Sequence, residues 1–133
     1  MPSIHTEALI DAAPDKVWEV IGDWESGPVR MAPGFVTGSV VDGDARVVTF
    51  ANGAVARERF VSREEDRRRL VWNIVGEPPV HHNGAMQVHA APSGQTRLTW
   101  DADVLPAEIA PTYAQMMQMG MDLIAKTLSA PQP

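Results

Sequence analysis

The sequence predicts a single α+β domain in which a curved, seven-stranded antiparallel sheet wraps around a long C-terminal helix. Three observations support this prediction. A length of 133 residues is typical of one domain, so we expect one unit over residues 1–133. Most of the chain alternates apolar and polar residues with a period of two, and turn residues separate these runs. After Pro106 the period becomes helical.

The N-terminal part of the chain predicts one strand followed by short helices. Residues 3–11 are rich in β-branched side chains and alternate, which is typical of a strand. Pro14 stands where the first turn of a helix accepts proline, and apolar residues recur at helical spacing through 16–24. The turn residues at 26–28 and 33–34 end two short segments. We therefore expect short helices between the first two strands.

The middle of the chain predicts six further strands in series. Each run is followed closely by turn residues such as Asp42-Gly43-Asp44 and Asn52-Gly53. Strands joined by such short turns pair as antiparallel neighbours, so we expect a meander. The predicted strands span residues 35–41, 45–51, 55–63, 70–75, 82–90 and 96–104.

The last part of the chain predicts a long helix that covers most of Tyr113 to Leu128. Pro111 removes a helix hydrogen bond, so the regular part is expected to begin near Ala110 with Pro111 in the first turn. The tail at 129–133 is expected to fray. One broad apolar face of this helix contains Ile109, Tyr113, Met116, Met117, Gly120, Leu123, Ile124 and Leu128.

Composition excludes several classes of function. The chain has no cysteine, which excludes disulfides and thiolate metal sites and fits a reducing cytoplasm. Its formal net charge of −6 argues against a nucleic-acid partner, which needs a concentrated positive surface. No stretch approaches the roughly 20 apolar residues of a membrane span. The sequence leaves the oligomeric state open, a homodimer included.

The order of these elements resembles the START and birch-pollen-allergen (SRPBCC) superfamily. Residues 10–20 (IDAAPDKVWEV) resemble the stretch that links its first strand to its first helix, and Asp23-Trp24 follows at the usual place. The later strands resemble the bacterial polyketide cyclase and dehydrase branch in three segments: 69–74 (RLVWNI), 78–80 (PPV) and 99–100 (TW).

This resemblance implies a helix-grip fold with a pocket for an apolar small molecule, either lipid-like or aromatic and polyketide-like. The branch shares a cavity rather than a set of catalytic residues, so the likeness says more about fold than about function. Members often carry a second tryptophan after the first helix. Here residues 27–31 (GPVRM) occupy that region, so the shape of the pocket mouth is left open.

The hairpin around Asn52-Gly53 decides which side chains share a face. A two-residue turn would set Arg46 opposite Arg59, which is electrostatically poor. A three-residue loop with Gly53 in the left-handed conformation sets Arg46 opposite Glu58, and we prefer this register. The pair then lies on an apolar face as a candidate for orienting a ligand, or it is a salt bridge at the sheet rim without a functional role. The same face carries Val48, Phe50 and Phe60.

Alternation in the last two strands points another set of side chains toward the helix. His82 and Met86 belong to this inner set, so His82 can reach a cavity. Its neighbour His81 points to the opposite face, so the two cannot bind one metal and no metal site is expected. A structural role for His82 is favoured over a catalytic one. The inner set of the final strand is Leu98, Trp100, Ala102 and Val104.

The methionines of the final helix suggest a wall that adapts to apolar shapes, although Met116 and Met117 equally suit an ordinary core. Gly120 costs about 1 kcal/mol relative to alanine inside a helix, which indicates either a close approach or open space beside it. The predicted cavity lies between sheet and helix. Its predicted lining is Phe50, Phe60, Met86, Trp100, Tyr113, Met116, Met117 and Gly120.

Three functions fit these observations. The first is non-enzymatic binding of an apolar small molecule without a cofactor. The second is an enzyme of the cyclase or dehydrase type that uses Arg46, Glu58, His82 or Tyr113 as acid or base. The third is an interaction module with a filled core. Since no nucleophile elbow, phosphate loop or paired carboxylates occur in the sequence, binding is favoured and no catalytic residue is assigned.

Overall fold

The computed structural model describes residues 1–76 and 78–129 and contains one antiparallel sheet. Its strands are β1 (Ser3–Ile10), β2 (Val36–Asp42), β3 (Ala45–Phe50), β4 (Val55–Glu64), β5 (Arg69–Val75), β6 (His81–Ala90) and β7 (Thr96–Leu105). They lie in the order β1-β7-β6-β5-β4-β3-β2. The chain therefore runs as a meander from β2 to β7, and β1 closes the far edge. The predicted fold class is confirmed.

Two short helices, α1 (Pro14–Ile21) and α2 (Gly27–Met31), connect β1 to β2. Helix α1 starts at Pro14 as predicted, but it ends at Ile21 rather than at Trp24. The backbone oxygen of Gly22 accepts a hydrogen bond from Arg63 Nε at 2.8 Å, which satisfies a carbonyl at the helix end. Trp24 thus lies outside the helix.

The long helix α3 (Ala110–Ser129) packs on the concave face of the sheet. It begins at the predicted residue, with Pro111 in its first turn. Its sheet-facing side is formed by the buried residues Met117, Gly120, Met121, Ile124 and Leu128. The tail was predicted to fray from residue 129, but Ser129 is the last residue of α3, and its hydroxyl accepts a hydrogen bond from the Asp11 backbone NH at 3.0 Å. Residues 130–133 of that tail and the turn residue at 77 lie outside the described residues. None of the described helices is long and apolar enough to span a membrane.

Gly120 lies where α3 comes close to the Trp100 side chain of the sheet. A Cβ atom at this position would lie 3.2 Å from Cζ3 of Trp100. This distance is shorter than an ordinary van der Waals contact, so any larger residue would displace the indole ring. Of the two explanations that the sequence offered for Gly120, the close approach is correct.

The β3–β4 hairpin has the register predicted from the three-residue loop. Arg46 lies opposite Glu58, and Val48 lies opposite Ala56. Gly53 has a φ of +88°, and the backbone NH of Gly53 donates to the oxygen of Phe50 at 2.9 Å. The loop is therefore built on a left-handed glycine, as the sequence indicated.

This loop makes a prediction about stability. We expect Gly53→Ala to lower the free energy of unfolding by about 1 kcal/mol or more, because an L-residue pays a conformational cost at positive φ. No neighbouring atom lies within 4 Å of the new methyl group, so the effect is one of backbone conformation. Urea unfolding followed by tryptophan fluorescence measures it.

The matched control is Gly38→Ala in strand β2. Gly38 has no positive φ, and its nearest non-local atom to a new Cβ is 4.0 Å away. We expect this variant to unfold within about 0.5 kcal/mol of the wild type. Equal losses in the two variants would contradict the role assigned to the left-handed loop.

Candidate ligand-binding site

An apolar cavity lies between the concave face of the sheet and α3. Its volume is about 100 Å³, counted as the space open to the centre of a water molecule. Water needs only about 10–15 Å³ by this measure, so the space exceeds that of a single water. Ten of the eleven predicted site residues line it: Arg46, Phe50, Glu58, His82, Met86, Trp100, Tyr113, Met116, Met117 and Gly120.

Phe60 is the predicted residue that does not line the cavity. Phe60 lies opposite Trp72, which lines the cavity, so it is on the predicted face of the sheet; the register shift in the pairing of β4 with β5 comes only after it, before Ser62. The ring of Phe60 remains 39% exposed. It packs edge-to-face on Trp24 with ring centroids 5.2 Å apart. Phe60 therefore supports Trp24 rather than the cavity wall.

Several wall residues were not assigned to the site from the sequence. Trp72 is buried, and its ring lies 6.4 Å from that of Trp100, centroid to centroid. The alternation of β5 offered a signal for it, because Leu70, Trp72 and Ile74 share one face and all line the cavity. The α2 region left no such signal, since only the tertiary fold brings Pro28, Met31 and Ala32 to the wall.

A buried ion pair occupies the polar end of the cavity. Arg46 Nε donates to Glu58 Oε1 at 2.8 Å, and the two residues are only 4% and 8% exposed. Arg46 Nη1 also donates to the backbone oxygen of Trp24 at 3.0 Å. The guanidinium lies 4.1 Å from the centroid of the Trp24 ring and 5.6 Å from that of Trp72. Arg46 is thus held by hydrogen bonds and by two aromatic rings.

His82 is held in a defined protonation state. The backbone NH of Ile74 donates to His82 Nδ1 at 3.0 Å. Burial, assisted by the neighbouring charge of His81, lowers the pKa of His82 to about 4. The ring is therefore neutral at pH 7, and because Nδ1 accepts a hydrogen bond, the proton is on Nε2. Toward the cavity His82 offers a donor.

Tyr113 covers this polar end from α3. Its ring centroid lies 5.9 Å from that of His82. Burial raises the pKa of Tyr113, and the negative charge of Glu58 raises it further. The phenol therefore keeps its proton at neutral pH. Across the sheet, Glu58 lies opposite Ile74, whose backbone NH binds His82, and both Glu58 and His82 line the cavity.

The remaining surface offers a less favourable site. A wider groove between α1 and the end of α3 is lined by charged residues that include Asp11, Asp15, Lys16, Glu19 and Arg30. Arg30 is already paired with Glu19 and Asp23. Within residues 1–76 and 78–129, no three His, Asp or Glu side chains come together as metal ligands would. The cavity is therefore the candidate functional site.

The state of His82 makes a prediction about pH. The folded pKa, about 4, lies below the ordinary value of 6.5, so between these values the unfolded chain binds more protons. Stability should therefore fall as pH drops from 6.5 to 4, by an amount on the order of 3 kcal/mol from this residue. We expect His82→Asn to remove this pH-dependent loss of stability, because the Asn side-chain oxygen can accept the hydrogen bond from the Ile74 NH and the amide does not titrate.

The measurement is urea unfolding of both proteins from pH 7 down to about pH 4. His5 and His89 titrate in both proteins, so the difference between the two curves isolates His82. Parallel curves over the whole range would contradict the assignment of a neutral, buried His82.

Comparisons with known proteins agree with this architecture. A family model described as polyketide cyclase / dehydrase and lipid transport matches residues 1–128. Among curated proteins, none matches this sequence. An uncharacterised protein from Bacillus thuringiensis superposes with a TM-score of 0.84 at 16% identity, covering 97% of this chain and 100% of the other.

Two further solved structures share the fold of this chain. A START superfamily protein from Mycobacterium smegmatis has a TM-score of 0.72 at 13% identity, with 96% of this chain and 94% of the other covered. Truncated norcoclaurine synthase from Thalictrum flavum has a TM-score of 0.74 at 16% identity, with coverages of 98% and 95%. At these identities the likeness is one of fold. Because the family model spans nearly the whole sequence, the chain belongs to the polyketide cyclase / dehydrase and lipid transport family.

Proposed function

We propose that this protein binds an apolar small molecule in the cavity between the sheet and α3. The observation that carries this proposal is an empty space whose wall is mostly apolar. Aromatic rings and thioethers surround a space that a filled core would occupy with side chains, and the polar side chains of the wall are few, namely Arg46, Glu58, His82 and Tyr113. Trp72, Trp100, Met86 and Met117 supply soft, polarizable surface for an aromatic or aliphatic ligand.

The size of the cavity favours a small ligand. An engineered apolar cavity of about 150 Å³ in another protein stays dry and binds benzene. The present cavity, about 100 Å³, is of the same order. A body of one aromatic ring is therefore the starting point for ligand searches, and a longer molecule would need Met116, which is 41% exposed at the cavity margin, to move.

The protonation states favour binding over acid–base catalysis. A general base works best when its pKa lies near the working pH. His82 has a lowered pKa and carries its cavity-facing proton, while Tyr113 has a raised pKa. Glu58 is engaged with Arg46. An enzyme of the cyclase or dehydrase type remains the alternative, and turnover of a bound ligand would distinguish it from a binding protein.

A cavity-filling substitution tests the proposal. Val48 is 2% exposed and lines the cavity from the middle of β3. We expect Val48→Phe to weaken toluene binding by about tenfold or more because the new ring occupies the ligand's space, at a cost of about 1–3 kcal/mol in stability. Titration followed by amide chemical shifts measures binding, and urea unfolding measures stability.

Val47→Phe is the matched control, because Val47 is next along β3 and its side chain points to the other face of the sheet. It should bind toluene as the wild type does. If the wild type does not bind toluene, or if Val48→Phe binds it equally well, the proposal that this cavity holds an apolar ligand is wrong.

A further inference from the structure

We propose that the cavity selects a neutral aromatic ligand carrying a hydroxyl group and rejects carboxylates, and that Glu58 determines this selectivity. This inference rests on the proposed function, since it names the ligand class of the same site. Three features of the polar end carry it: the balance of charge, the occupied faces of Arg46 and the hydrogen-bonding atoms that remain.

The polar end has no net charge to offer a ligand. The positive charge of Arg46 is matched by Glu58 at 2.8 Å, and both are buried. His82 and Tyr113 are neutral at pH 7 because burial shifts the pKa of each in the direction that favours its uncharged form. A ligand carboxylate would enter as an uncompensated charge next to Glu58, which is strongly unfavourable in a buried space.

The Nε edge of Arg46, where a carboxylate could bind through two parallel NH groups, is already occupied by Glu58. A bidentate contact needs two parallel guanidinium NH groups. Here Nε donates to Glu58 and Nη1 to the Trp24 carbonyl, while the rings of Trp24 and Trp72 lie near the guanidinium. An arginine in an apolar pocket would ordinarily suggest an acidic ligand. Arg46 instead makes its contacts with other residues of the protein and forms part of the cavity wall.

The atoms left over at this end match a hydroxyl group. Among the described residues, no hydrogen bond involves Glu58 Oε2, which is a charged acceptor, or His82 Nε2, which is a donor. A hydroxyl can donate to a carboxylate oxygen and accept from an imidazole NH. Because Glu58 forms an ion pair with Arg46, a hydroxyl that donates to it makes a charge-assisted bond, which favours a phenol over the bare ring.

Three ligands that share one ring and one methyl group test this selectivity: toluene, 4-methylphenol and 4-methylbenzoate. At pH 7 the phenol is neutral and the benzoate is ionised. We expect the wild type to bind 4-methylphenol about tenfold more tightly than toluene, the gain of one hydrogen bond to a charged group. It should bind 4-methylbenzoate at least about a hundredfold more weakly than the phenol, because a buried carboxylate is not compensated. Titrations followed by amide chemical shifts give all three affinities.

The Glu58→Gln variant should reverse the order of the polar ligands. Arg46 then lacks its carboxylate, so 4-methylbenzoate should gain about tenfold or more while 4-methylphenol loses its advantage over toluene. Glu64→Gln is the control, because Glu64 lies on the same strand and pairs with Arg67 at the surface. Its three affinities should equal those of the wild type.

A second variant covers the case in which Glu58→Gln fails to fold. The double variant Arg46→Met/Glu58→Met removes both charges, and replacing a buried pair by apolar residues of similar volume is often tolerated. It should bind toluene and still reject the benzoate, and its preference for the phenol should fall by about tenfold.

The outcomes separate the two proposals. Wild-type binding of toluene with equal affinity for the phenol and the benzoate would overturn the inference and leave the proposed function standing. An unchanged phenol preference in the double variant, or in folded Glu58→Gln, would also overturn it. Absence of binding for all three ligands would overturn both.

Discussion

The buried pair of Arg46 and Glu58 is the interaction on which the rest of the site depends. Two charges that are 4% and 8% exposed are tolerated only where their hydrogen bonds and neighbours compensate the loss of water. The hairpin supplies the direct contact by placing the two residues opposite each other. The backbone supplies the next contact, because the Trp24 carbonyl, which lies beyond the end of α1, accepts a hydrogen bond from Arg46 Nη1 at 3.0 Å.

Much of the fold was predictable because its signals are local. Period-two runs and turn residues gave the seven strands, and the penalty for opposing arginines selected the hairpin register. Alternation put Phe60 on the correct face, opposite Trp72, but it could not show that the Phe60 ring packs on Trp24, a contact that only the tertiary fold creates. The end of α1 at Ile21 was missed since Trp24 continues the apolar spacing, while the contact that satisfies the helix end comes from Arg63, far along the chain.

His82 shows why site chemistry is harder to predict than the placement of a side chain. Alternation places its ring in the cavity, as predicted. Its proton position depends on a backbone NH from another strand. The last paired residues of β5 and β6 at this end are Trp72 and Gly84. Beyond them the Ile74 NH donates to His82 Nδ1, and the Asn73 side chain donates to the His82 carbonyl. Hydrogen bonds that involve side chains thus link the two strands where their backbone pairing ends.

These constraints together favour recognition over proton transfer at the polar end. An apolar pocket that contains one histidine and one tyrosine would suit acid–base chemistry if the pKa values of these side chains lay near neutrality. In this protein burial lowers the pKa of His82 and raises that of Tyr113, so at neutral pH the imidazole is neutral and the phenol keeps its proton. What remains is a set of hydrogen-bond donors and acceptors beside an apolar space, which supports the proposal that the site orients a small, uncharged ligand.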